Sequence, residues 1–337
     1  MTAPEPKVVV ITGGTAGLGR AIAGAFARRG WRVGVLARDA DALAATRDEL
    51  KALGSEALIV SVDVADARAV FEAAERVLQR WGRIDVWINN AMATIFSPIA
   101  AIAPEEYARV TAVTYLGAVH GTMAALRCMQ PQGSGVIVQV GSALSYRAIP
   151  LQSAYCGAKF ALRGFIDALR SELLHDGSRI QVTMVQLPAM DTPQFEWARS
   201  RMPRRMQPVP PIHAPEVIAE IIVETIERRS DRMPRELWVG IPTIQAIVGQ
   251  MLAPGWLDQM LVRKAWDGQM TDEPETGHAD ALFAPVPELH RVHGRFGAQA
   301  RNKVRAFDAT KLRMAAGLGA AAAGVVLIAL LIRVLTD

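Results

Sequence analysis

The sequence predicts an α/β fold: a doubly wound parallel sheet with helices on both faces, followed by a C-terminal extension and one transmembrane helix. Three observations lead there. From residue 7 onward, short apolar runs alternate with stretches of helical periodicity. The first apolar run ends in a glycine-rich loop. The 337 residues are 51% hydrophobic, enough for one large core.

Strands are expected over residues 8–12, 32–37, 57–62, 84–89, 135–140 and 180–186, where β-branched residues cluster. Helices are expected between them over 17–30, 41–53, 66–81, 104–129 and 152–175. A further helix over 215–229 and a last strand over 236–240 complete one α/β domain, residues 1–240. Two apolar segments, broken at Pro254-Gly255, make residues 241–270 a helical extension. Residues 271–313 read as a polar, basic linker with scattered Pro, Gly and His.

The stretch from Met314 to Ile332 carries no charge. As a helix it would reach about 28 Å, close to the hydrocarbon thickness of a bilayer. It predicts a transmembrane helix over 314–333, bounded by Lys311, Arg313 and Arg333. The stripe Ala316, Ala320, Gly324 suits packing against another helix, so a homo-oligomer, or a soluble dimerisation helix in place of a span, is also considered. Basic residues before the span orient the large domain toward the cytoplasm. Net charge is +4, with Arg291, Arg295, Arg301, Lys303, Arg305, Lys311 and Arg313 against the single acid Asp308 in 291–313. No aromatic or glycine-rich RNA-type motif accompanies them, so a membrane surface is expected and nucleic acid is not. Two cysteines, Cys128 and Cys156, make no disulfide framework, no metal-ligand spacing exists, and a reducing compartment follows. The apolar stretch 8–11 is too short for a signal-peptide core.

The loop after the first strand reads Thr12-Gly13-Gly14-Thr15-Ala16-Gly17-Leu18-Gly19. Its glycines let a pyrophosphate approach the backbone, and the helix that follows offers unpaired N–H groups to that anion. At the end of the second strand, an acid would bind the adenosine ribose hydroxyls of NAD. Here Ala37 stands at that place with Arg38 beside it, and a guanidinium matches the 2′-phosphate of NADP. NADP is expected in preference to NAD.

Tyr155 and Lys159 lie one helical turn apart on the same face. A free phenol titrates near about 10, and a cation beside it favours the phenolate. Ser142 precedes Tyr155 by thirteen residues, at the end of an apolar run. Together the three can polarise a carbonyl and exchange a proton with its oxygen.

In this order the motifs resemble the short-chain dehydrogenase/reductase family, over residues 7 to about 240. The matching pieces are the Gly13, Gly17, Gly19 loop, Asp63-Val64, Asn89-Asn90-Ala91, Ser142, and Tyr155 with Lys159. The resemblance implies a Rossmann fold and hydride transfer between a nicotinamide and an alcohol or carbonyl. Tyr155 would exchange the proton, Lys159 would lower its pKa and hold the nicotinamide ribose, and Ser142 would bind the substrate oxygen. Asp63 and Val64 would contact the adenine, Asn90 and Ala91 would lie along the cofactor, and Thr15, Gly17 and Leu18 would line its phosphates. Pro188 to Thr192 would pass the nicotinamide amide.

Three departures stand out. Thr114 occupies the place where the family carries an Asn that holds a proton-relay water through its main-chain carbonyl. Met92 replaces the glycine of Asn-Asn-Ala-Gly, and Ala189 replaces the glycine after Pro188. Substrate contacts are expected from 92–97, 143–152 and 190–206, which hold Met92, Ile95, Phe96, Leu144, Tyr146, Ile149, Leu151, Met190, Phe195 and Trp197. Some of these belong to the core; the rest predict an apolar pocket and a lipophilic substrate entering from the bilayer. The competing reading is a catalytically silent NADP-binding scaffold or redox sensor at the membrane.

Overall fold

The computed structural model describes residues 5–229 and 232–317. Its centre is β1 (Val8–Thr12), five residues buried throughout. A β-branched run with no exposed face suits a strand covered on both sides. Val9 and Ile11 enter one core with α1 (Gly17–Ala27), while Val8 and Val10 enter the other. Strand alternation thus divides one apolar run between two cores. Each fully buried Val or Ile contributes roughly 1.5–3 kcal/mol.

The chain continues through β2 (Arg32–Ala37), α2 (Ala40–Ala52), β3 (Ala57–Ser61), α3 (Ala67–Trp81) and β4 (Val86–Asn89). Asp39 caps α2 by accepting from the Ala42 amide at 2.8 Å, and Asp66 caps α3 from Ala69 at 3.2 Å. Gly82, at φ 73°, ends α3 in the left-handed conformation. After the short β5 (Ile95–Phe96) comes α4 (Pro104–Thr111), a π turn at Ala112–Leu116, and α5 (Gly117–Gln132). A single helix over 104–129 was the expectation. The periodicity fails to show the one-residue bulge, because each flank keeps its own 3.6-residue pattern.

Next come β6 (Gly135–Val140), α6 (Ser153–His175), β7 (Ile180–Gln186), the one-turn α7 (Gln194–Trp197), β8 (Arg199–Ser200) and β9 (Arg204–Met206). Then follow α8 (Pro215–Arg229), β10 (Glu236–Val239), α9 (Ile241–Leu252), α10 (Pro254–Gly268), β11 (Met270–Pro274) and β12 (Ala306–Asp308). The main sheet has the order β12-β10-β7-β6-β4-β1-β2-β3. Its first seven strands in chain order run parallel, and β12 joins the edge antiparallel to β10. The order reverses beside β1, which opens a crevice at the strands' carboxyl ends.

Residues 271–313 are not a free linker. β11 pairs with β9, Phe296 donates its amide to Asp191 at 2.9 Å, and β12 closes the sheet edge. The basic residues expected on a membrane are partly engaged within the fold: Arg291 with Glu196 at 2.7 Å, Arg295 with Glu273 at 2.6 Å, Arg313 with Glu236 at 3.0 Å. The acids lie 95, 22 and 77 residues away, all outside the basic run 291–313, which is why composition suggested an unpaired cluster.

A helix begins at residue 309 and is described as far as 317. The expected transmembrane helix over 314–333 therefore lies mostly outside the described residues. Among the described residues, no helix is long and apolar enough to cross a membrane.

Candidate active site

The glycine loop, the ends of β2, β3, β4 and β6, the start of α6 and the loop after β7 enclose a cavity of about 430 Å³. Gly13 sits at φ 65°, and a Cβ there would come within 2.9 Å of the Ala91 Cα. Gly17 (φ 52°) packs under Thr192. A Cβ on Gly19 would collide with the Gly13 carbonyl, and Gly19 does not line the cavity. The missing side chain lets α1 close on the loop. Asn90 holds the loop open, donating through Nδ2 to the carbonyls of Thr12 (3.1 Å) and Gly13 (3.0 Å). Thr12 Oγ1 in turn accepts from the Asn90 and Ala91 amides.

Gly13, Thr15, Gly17, Leu18, Arg38, Asp63, Val64, Asn90, Ala91, Pro188 and Thr192 all line the cavity, as do Ser142, Tyr155 and Lys159. Ser142 starts the short turn after β6, capping it with its hydroxyl, which accepts from the Leu144 amide at 3.1 Å. α6 presents Tyr155 and Lys159 one turn apart. The Ser142 hydroxyl is in hydrogen-bonding reach of the phenol. Lys159 is buried; its Nζ lies 5.5 Å from the Tyr155 ring centre and donates to the Val140 carbonyl at 2.6 Å.

Here the electrostatics differ from expectation. Burial pushes the Tyr155 phenol well above its ordinary value, aided by Cys156 and opposed by the Ser142 hydrogen bond. Burial also pulls the Lys159 ammonium down to about 8. Desolvation disfavours both charged forms, and for the phenol it runs opposite to the lowering that the spacing with Lys159 suggested.

Thr114 is also placed differently. It is buried in the π turn and absent from the cavity wall, and its Oγ1 both accepts from the Ala93 amide and donates to the Ala93 carbonyl, each at 2.9 Å. Its side chain fixes the loop that carries Met92. The neighbouring Val113 lines the cavity instead.

At the adenosine end, Asp63 accepts from Arg109 at 2.5 Å. Burial works to raise the Asp63 carboxyl, but Arg109 and the Ala65 amide hold it below the usual range. Arg38 donates through Nη2 to the Ala281 carbonyl at 2.6 Å, and its buried Nη1 has no hydrogen-bond partner among the described residues. Burial, then Arg109, lowers its pKa. His290 stands beside it, 3.5 Å from Asp39, with neither ring nitrogen hydrogen-bonded among the described residues. Arg20 donates to the His290 carbonyl, and the Gly17 amide donates to Arg291 at 2.9 Å. The segment 281–291 thus runs across the mouth of the phosphate loop.

These residues fit a nicotinamide dinucleotide. The glycines leave the space that a Cβ would fill, and the buried, unsatisfied Arg38 Nη1 matches an anionic oxygen better than a ribose hydroxyl. Arg109, Ala281 and His290 were not read from the sequence; they lie 46, 243 and 251 or more residues from their partners, and no local motif marks them.

Of the ten expected substrate contacts, Met92, Leu144, Ile149, Met190, Phe195 and Trp197 line the cavity. Ile95, Phe96 and Leu151 are core residues instead, and Tyr146 turns away to Glu236 at 2.7 Å. Pro242, Thr243, Leu261 and Ala265, from α9 and α10, complete the apolar wall.

Residues 7–202 match the short chain dehydrogenase family. The uncharacterized oxidoreductase YxnA of Bacillus subtilis is 31% identical over 283 residues, covering 83% of this chain and 78% of the relative. Among solved structures, an alcohol dehydrogenase from the archaeon Thermococcus sibiricus complexed with 5-hydroxy-NADP is 29% identical, with a TM-score of 0.59 over 69% of this chain and 96% of its own. A short-chain dehydrogenase from Streptomyces avermitilis is 26% identical, with a TM-score of 0.65 over 78% and 97% of the two chains.

Proposed function

This chain belongs to the short-chain dehydrogenase family, and on that premise we propose that it is an NADP(H)-dependent oxidoreductase acting on a lipophilic carbonyl or secondary alcohol. The observation that carries the reading is the convergence of Ser142, Tyr155 and Lys159 on one cavity, with Arg38 at its far end. A bound nicotinamide supplies or accepts the hydride. In reduction, Tyr155 gives its proton to the substrate oxygen, and the Ser142 hydroxyl hydrogen-bonds that oxygen. Lys159, anchored on Val140, places a positive charge under the phenol and offers donors to the ribose.

NADP is preferred because Arg38 occupies the place of the ribose-binding acid and keeps a buried unpaired donor. The alcohol dehydrogenase in complex with 5-hydroxy-NADP supports the same choice. Lipophilicity rests on the apolar wall and on the outer faces of α9 and α10. There Met251, Trp256 and Val262 are 66%, 64% and 70% exposed. With the uncharged stretch from Met314 to Ile332, these residues motivate a membrane-anchored enzyme whose catalytic domain faces the cytoplasm.

The test is an NADPH-oxidation screen over steroid, retinoid and long-chain carbonyls, with NADH as control. Turnover of lipophilic carbonyls with NADPH is expected. Reduction of small polar carbonyls alone would sink the substrate class, and equal rates with NADH would sink the cofactor assignment. Partitioning of the intact chain into vesicles, compared with a chain ending before Met314, tests the anchor; equal partitioning would remove it.

A further inference from the structure

We propose that Glu236 is a positioning residue for Ser142 and acts through the side-chain amide of Gln186; this rests on the catalytic role given to Ser142 above. Gln186, the last residue of β7, is fully buried. Its Oε1 accepts from the Ser142 amide at 3.0 Å, a donor shared with Ser145 Oγ at 3.2 Å. Its Nε2 donates to Glu236 Oε1 at 3.1 Å.

A primary amide has two ends of nearly equal shape and opposite chemistry. Which end meets Ser142 is decided by the neighbours. The Ser142 amide can only donate, and a carboxylate can only accept. Glu236 therefore fixes Gln186 with its oxygen toward the serine. Glu236 is itself fixed by donors: Tyr146 hydroxyl at 2.7 Å, Trp238 Nε1 at 3.3 Å and Arg313 at 3.0 Å. Burial, then Glu236, pushes Tyr146 up to about 12, so it keeps the proton it donates. The glycine at 141 is part of the same device. A Cβ there would stand 2.5 Å from Gln186 Oε1 and force the amide away.

Ser142 starts a turn after β6; its bonds to Leu144 and Ser145 are local, and its neighbours are tied to β7 and the residue beyond it, Gly141 through the Val185 carbonyl at 2.9 Å and Ala143 through the Leu187 carbonyl at 3.0 Å. The Gln186 bond adds the serine's own amide to that tie, and Glu236 extends it to β10 and, through Arg313, to the helix that begins at 309. An error of about an ångström in the hydroxyl's position is enough to cost catalysis heavily.

The substitution Glu236→Gln makes a sharp test because it changes no shape. The new amide keeps its oxygen on Arg313 and Trp238 and turns its NH₂ group to Gln186. Gln186 must then reverse, and Nε2 faces the Ser142 N–H, donor against donor. Gln186→Met loses the same bond directly. Rates are measured per site titrated with NADPH, alongside substrate KM and melting temperature. In each single variant, kcat for carbonyl reduction should fall at least fivefold with NADPH affinity retained. The double variant should fall no further than the worse single one, as expected of residues acting as a unit. Undiminished kcat per site in Gln186→Met would overturn the proposal, even if Glu236→Gln fails to fold. So would a double variant whose loss is the product of the two, or losses that follow cofactor affinity and melting temperature. Absence of turnover in the unsubstituted protein would instead overturn the functional reading, and this inference with it.

Discussion

Arg38, at the end of the second strand's turn, donates to the carbonyl of Ala281, 243 residues further along the chain, at 2.6 Å. One guanidinium nitrogen is thereby spent on the fold while another is buried with no hydrogen-bond partner among the described residues. The C-terminal segment thus holds the side chain proposed to select the cofactor.

Arg38→Ala should raise KM for NADPH by roughly ten- to a hundredfold, the loss of one charged hydrogen bond of about 1.5–3 kcal/mol, and leave KM for NADH within about twofold. Initial rates with both cofactors check this. Parallel losses with both would mean that Arg38 serves only to hold Ala281.

Tyr155→Phe should bind NADPH as before and lose about 10²–10⁴ in kcat, the usual contribution of a positioned proton donor. Fluorescence titration and turnover measure the two separately. A biological role that survives this substitution would favour the silent scaffold.

The pH dependence should come from Lys159. Burial lowers it to about 8, so the ammonium is present below that pH and lost above it. Tyr155, raised by burial, stays protonated throughout. Reduction measured as kcat/KM should therefore fall as pH rises through about 8. The stability effect has the opposite sign. The buried ammonium costs stability below pH 8, and the cost is relieved as pH rises toward 10.5. Lys159→Met should remove activity without lowering the melting temperature at pH 7; a clear drop in melting temperature would contradict this.

Glu106 should govern acid stability. It is buried, caps α4 by accepting from the Ala103 amide at 2.9 Å, and pairs with Arg199 and Arg201, both at 2.6 Å. The Arg201 bond leads in holding its carboxyl down, to about 2, against burial. Its contribution is present above about 4.5 and lost as pH falls toward 2. Glu106→Gln should cost about 2–3 kcal/mol at pH 7, less than a fully buried pair because both arginines keep some exposure. Urea denaturation at pH 7 and pH 3 checks it: the difference from the unsubstituted protein should shrink in acid.

Gly19→Ala should abolish NADPH binding together with folded yield, since its Cβ would collide with the Gly13 carbonyl and with the Asn90 amide that holds the loop. Soluble, cofactor-binding protein would show that α1 can shift on the loop.

Much of this molecule was legible along the chain. The alternating apolar runs marked the seven parallel strands within a residue or two, and missed the short strands β5, β8, β9, β11 and β12. Val8, Val10 and their odd-numbered partners show why: a strand buried on both faces needs no partner to be recognised. Gly13 and Gly17, Tyr155 and Lys159 declare themselves by spacing, because a loop and one helical turn are local geometry. The placement of the Thr114 side chain was not legible in the same way, since a π turn changes where a side chain points without changing the apolar pattern.

The sequence by itself determined the seven parallel strands, the glycine loop and the Tyr155–Lys159 spacing, all of which depend on contacts within a few positions or on burial of β-branched runs. Tertiary structure alone decided the rest. It brought residues 281–291 across the phosphate loop, paired Arg109 with Asp63, and drew the basic C-terminal residues onto acids elsewhere in the fold. It also buried Lys159 and half-buried Tyr155, and that desolvation lowers the ammonium and raises the phenol. Each of those outcomes turns on which distant surfaces meet, and on how much water they exclude, and neither quantity is written in the spacing of residues along a chain.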